Sequence, residues 1–182
     1  MKNILSIILI LNLNFINSQE LIIGQKTVEP GIVFIFEGAI KDHVMPSKMH
    51  LSEKETNIHI EARVNWDNNN NNNNPAGTPA GGFVAYLHIT AKVINQETGL
   101  STFIDLLPHI NLIDNYHYAR NISLPGKVSD LYSVEFNVLP PTSIELSLHK
   151  DWSENYGNQL MSDYSFFYEN VNFEEIANAT RN

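Results

Sequence analysis

From Ile58 to Trp66 the chain alternates without a break: Ile58, Ile60, Ala62, Val64 and Trp66 project to one side, and His59, Glu61, Arg63 and Asn65 to the other. Successive side chains of a strand point to opposite faces, so this period of two describes a half-buried β-strand and does not fit a helix, whose apolar stripe recurs every three to four residues. The same period runs through 83–95, where Phe83, Ala85, Leu87, Ile89, Ala91 and Val93 share a face, and it ends in the turn-like Asn95-Gln-Glu-Thr-Gly99. A hairpin partner is expected near 101–107. Further strands are expected at 31–36, 116–124, 131–139, 144–149 and 164–171, and a short helix at 172–179. Seven or eight short strands punctuated by Gly, Pro and Asn predict an all-β chain: an immunoglobulin-like antiparallel β-sandwich. At 182 residues the chain has room for one ordinary core, so a single domain is expected.

Two segments stand apart from the alternation. Lys2 precedes a mostly apolar run over 4–16, and Ser18 offers a small residue for cleavage, so 1–18 reads as a secretory signal peptide. That run is about 13 residues, short of the roughly 20 that cross a bilayer. The domain is then expected over 19–176, with 177–182 as a C-terminal tail. The second segment, 68–82, holds seven consecutive Asn out of 24, then Pro-Ala-Gly-Thr-Pro-Ala-Gly-Gly82. Such a polar, Gly/Pro-rich stretch buries too little apolar area to offset its ordering entropy and reads as a flexible low-complexity loop. Asn121-Ile-Ser123 and Asn178-Ala-Thr180 are sequons, hence glycosylation acceptors in a eukaryotic host.

Charge and chemistry narrow the function. A formal charge of -9 with only 11 Lys+Arg argues against nucleic acid as a partner, because no dense basic face is available to neutralise phosphates. With no cysteine, disulfide scaffolds, thiolate zinc modules, iron–sulfur clusters and blue-copper sites are excluded. No nucleophile elbow is present, and no carboxylate pair stands out for acid–base work, so no enzyme is expected. Seven histidines remain. His59 and Glu61, two apart on a strand, leave the same face about 6–7 Å apart along the chain, a spacing able to grip an ion but common on surface strands. His109, His117 and His149, taken singly, are more often surface or satisfied core residues than ligands, and no local zinc signature joins them.

Four segments in order carry a resemblance: Met49 with Asn57-Ile-His-Ile-Glu-Ala62, then Gly82-Phe-Val-Ala-Tyr-Leu87, then Tyr116-His-Tyr-Ala-Arg-Asn-Ile122, then Pro140-Pro141 with Leu148-His-Lys-Asp151. Together they resemble the bacterial periplasmic iron-transport (Fe2+ transport) family, which includes treponemal metal-binding lipoproteins. The resemblance implies a homodimeric immunoglobulin-like sandwich whose strands jointly hold copper and iron. It implies His59, Glu61, His117 and His149 as ligands, His109 where the family has a methionine after proline, and Met49 as an auxiliary thioether. Imidazole in place of thioether at His109 suits Cu(II), Zn(II) or Fe(II) better than Cu(I). Tyr116, Ala119 and Arg120 alter the family's P-H-Y-G-A-N motif, and the 68–82 loop is longer than the family's connection. The function implied is a secreted or extracytoplasmic protein that captures Fe2+ or copper for a membrane iron permease. The rival reading is a secreted immunoglobulin-like structural or adhesion module with solvated histidines. His43, His50 and His88 are expected to be surface residues.

Overall fold

The computed structural model describes residues 20–68 and 74–180. The expected signal peptide, most of the Asn tract and the last two residues lie outside the described residues. Eight strands follow in chain order: β1 (Glu20–Val28), β2 (Ile32–Ala39), β3 (Ile58–Trp66), β4 (His88–Asn95), β5 (Ser101–Asn111), β6 (Asn115–Ile122), β7 (Leu131–Leu139) and β8 (Tyr164–Asn172), with short helices α1 (Lys150–Tyr156) and α2 (Glu174–Asn178). Their order across the sheet is β1-β2-β3-β6-β5-β4-β7-β8, antiparallel throughout.

One strand turns the corner between two layers. β5 pairs with β4 through residues 101–106 and with β6 through 107–111, so its first half belongs to one layer and its second half to the other. The layers close on an aromatic core: Phe36 of β2 stacks on Phe136 of β7 at 4.1 Å, and Phe34 lies 5.5 Å from Phe166 of β8. The outer strands also approach each other. A Cβ at Gly24 of β1 would come within 2.1 Å of the Tyr168 ring of β8, so only glycine lets that ring lie over the strand. The expected all-β sandwich is what the chain forms.

Three expectations need correction. Residues 144–149 are not a strand: Pro140 and Pro141 end β7, and both the Thr142 amide and its hydroxyl donate to Glu145 Oε2 at 2.9 and 2.8 Å, closing a turn that leaves Ile144 exposed. The strand expected from Phe83 begins only at His88, because Tyr86 adopts φ 66° and breaks the extended run. In the 68–82 loop, 74–82 is pinned to β3 and not free: Asn74 Nδ2 donates to the Asp67 carbonyl at 2.7 Å, and the Gly81 amide to that of Trp66 at 2.9 Å.

Replacing Phe36 by alanine removes the ring that joins both layers and should cost about 3–5 kcal/mol, read from urea unfolding. Phe167→Ala, at an exposed position of β8, should stay within about 0.5 kcal/mol of wild type.

Candidate metal centre

The apolar side chains of β3 fill the core, so alternation places His59, Glu61 and Arg63 on the opposite face. That face is not half-exposed as its polarity suggests: His59 is 2% and Glu61 3% exposed. The connection from β2 to β3 passes over it and is tied down by Asn121 of β6, whose Nδ2 donates to the carbonyls of Asp42 (2.7 Å) and Leu51 (3.0 Å). Register brings in the other groups. Asn121 lies opposite His59, Glu37 of β2 opposite Glu61, and His109 of β5 opposite His117 of β6.

Three imidazoles and a carboxylate converge. Ring centres are 5.3 Å apart for His59 and His109, 5.7 Å for His109 and His117, and 6.4 Å for His59 and His117. Potential ligand atoms of His59, Glu61 and His117 lie within 4.8 Å of one another. A metal-to-nitrogen bond of about 2 Å puts a ring centre about 3.2 Å from the ion, so rings sharing an ion lie up to about 6.4 Å apart. All three spacings meet that limit.

The hydrogen bonds fix which nitrogen is free. The Asn121 amide is oriented by its two carbonyl acceptors, which turns its Oδ1 to His59 Nδ1 at 2.7 Å. Nδ1 of His109 meets the Leu107 carbonyl at 2.7 Å, and Nδ1 of His117 meets the Asn115 carbonyl at 3.1 Å. Each acceptor is an oxygen, so each Nδ1 carries the proton and each Nε2 presents a lone pair, the tautomer a metal requires. His109 Nε2 and Glu61 Oε2 are buried with no hydrogen-bond partner among the described residues. Such orphans are costly unless a ligand completes them.

Burial also sets the charges. It pushes the Glu61 carboxyl up to about 8, reinforced by Glu37, Asp114 and Glu20, and it pulls His59 down to about 4 against its hydrogen bond to Asn121. His109 and His117 are lowered as well, first by burial. At neutral pH His59 and Glu61 are therefore both uncharged. Their 3.9 Å separation is too long for a hydrogen bond and is a gap of the width an ion needs. Behind Glu61, burial raises Glu37 to about 7 although it pairs with Arg63, which also meets Glu20 at 3.3 Å.

The cleft of about 610 Å³ that holds this cluster is also lined by His43, Met45, Met49 and His50. Met49 stands at the exposed rim, in the turn Ser47–Met49. His149 does not line it; this histidine is exposed, immediately ahead of α1. His50, expected to be a surface residue, is instead half-buried in the cleft, its ring centre 5.1 Å from that of His109. No local pattern marks it, because the rim's fold alone brings it there. His88 is a surface residue, meeting Glu145 at 2.8 Å. The Asn121 sequon is corrected: this side chain is 1% exposed with its amide nitrogen engaged, so it is no glycan acceptor in the folded chain.

Residues 17–174 match the Fe2+ transport protein family. In structure the chain is similar to FetP of uropathogenic Escherichia coli, with TM-score 0.67 and 20% identity over 84% of this chain and 95% of that one. It is also similar to a copper-bound variant of Campylobacter jejuni P19, with TM-score 0.68 and 24% identity over 82% of this chain and 95% of that one. These likenesses show the fold. No curated protein matches the chain in sequence. Among the described residues no helix is long and apolar enough to cross a membrane.

A carboxyl whose folded pKa lies above its unfolded value favours folding fully below about pH 4.5, and loses that contribution as pH climbs through about 8. In metal-free protein Glu61→Gln should therefore gain stability over wild type between pH 5 and 8.5, on the order of a few kcal/mol. Urea unfolding of chelator-treated samples measures this, and an equal difference at both pH values would contradict a protonated Glu61.

Proposed function

Because the chain belongs to the Fe2+ transport protein family, we propose that it is a secreted or extracytoplasmic metal-binding protein that captures Fe2+ or copper and passes it to a membrane iron permease. The observation that carries this reading is the convergence of potential ligand atoms from His59, Glu61 and His117 within 4.8 Å of one another in a single cleft that His109 also lines. His59, His117 and Glu61 are the core ligands, with His109 alongside and Met49 as a thioether at the rim. Imidazole and carboxylate together suit Fe(II), Cu(II) or Zn(II). Copper-bound forms of FetP and P19 support a transition metal as cargo. The protein acts as a binder: nothing in the cleft needs to be consumed or transformed for an ion to enter and leave.

The reading includes a homodimer. The hairpin tip between β5 and β6 leaves Ile110, Leu112 and Ile113 exposed next to the cleft, an apolar surface of the kind that a second copy covers. His149, outside the cleft of its own chain, joins an ion only if that second copy brings it there. The rival reading of an immunoglobulin-like module with solvated histidines fits poorly, since His59 and His117 are each 2% exposed.

Titration with Fe(II), Cu(II) and Zn(II) should give a site weakened at least tenfold by His117→Ala. A smaller loss would remove His117 from the ligand set. Binding should also weaken as pH falls from 7 toward 4, where protons compete for imidazoles that burial keeps neutral until acid pH.

A further inference from the structure

The cleft holds more imidazoles than the inner ion needs. His50 ends the rim turn, and its ring stands edge-on to His109 with the planes at 76° and the centres at 5.1 Å. Two buried nitrogens of this pair lack hydrogen-bond partners, Nδ1 of His50 and Nε2 of His109. Two imidazoles that share an ion at a tetrahedral angle have centres about 5.2 Å apart, given metal-to-nitrogen bonds of about 2 Å. The observed spacing is that of such a pair.

His59, Glu61 and His117 already converge within 4.8 Å, so an ion among them does not require a donor from the rim. The single lone pair of His109 Nε2 serves one ion at a time. Around His50 the donors are softer, because Met45 and Met49 line the same cleft at its exposed mouth. His50 and Met49 also line an adjoining groove with Leu51 and Arg120, so this place opens to solvent while the inner trio is buried.

We propose that His50 and His109 form a second, outer cation position at the mouth of the cleft, separate from the inner one, and that its ion is copper. Imidazole nitrogens at a mouth that thioethers also line favour copper, whereas the inner position adds a carboxylate oxygen and accepts harder divalent ions as well as copper. The proposal rests on the metal-binding function above. Asn121 ties the two positions mechanically: its Oδ1 accepts from His59, and its Nδ2 holds the Leu51 carbonyl next to His50.

The test counts copper on the protein, by anaerobic Cu(I) titration against a chromophoric chelator and metal analysis after desalting. Wild type should bind two ions per chain, His50→Ala and His50→Gln one, and His43→Ala, altered elsewhere on the rim, two. His117→Ala should keep one ion and lose it when His50→Ala is added. One copper per wild-type chain, two retained by both His50 variants, or none bound by His117→Ala would each overturn a separate outer position and leave the proposed function standing. No copper, iron or zinc bound by wild type would overturn both. Circular dichroism checks each fold, and the glutamine variant keeps the side chain's bulk if the alanine variant unfolds.

Discussion

The first half of β3, from Ile58 to Ala62, is buried on both faces, and the rest of the molecule is organised around meeting that constraint. Its inner row, Ile58, Ile60, Ala62 and Val64, is fully buried among the aromatic rings of the opposite layer and costs nothing to cover. Its outer row is polar, and covering His59 and Glu61 removes water from groups that need partners. Asn121 meets the need at His59 and pins the covering segment with the same side chain. Glu61 is met only by neutralisation, with its Oε2 left without a hydrogen-bond partner.

The cluster thus follows from where the sheet puts polar rows. β3, β6 and the second half of β5 are adjacent, and one residue from each supplies an imidazole. Strands hold ligands with less freedom than loops, and oxygen acceptors behind each Nδ1 lock the ring orientations. The corner in β5 matters here. Had β5 stayed with β4 along its whole length, His109 would not lie opposite His117.

Alternation located β3 and β7 to the residue and the β4–β5 turn as well, because each is long, regular and bounded by turn chemistry. It failed where a regular pattern has no partner strand. Ile144, Leu146 and Leu148 alternate as well as any strand, but the preceding prolines and the Thr142–Glu145 turn take the backbone elsewhere. β1 escaped notice for the opposite reason: its register shifts between Ile22 and Gly24, which scrambles the period. Among the clustered side chains, His59 with Glu61 was legible as a spacing, and His117 and His109 through the family resemblance. His50 was legible in neither way.

By itself the amino-acid order determined the sandwich, the absence of sulfur chemistry other than thioether, and the family, since these rest on local periodicity, composition and ordered motifs. Only the tertiary structure decided that the polar face of β3 is dry, that Asn121 serves His59 and not a glycan, and that His50 reaches His109. Those outcomes come from contacts between residues far apart in the chain, 62 positions for His59 and Asn121 and 79 for Asp42 and Asn121, across which a sequence pattern carries no distance information.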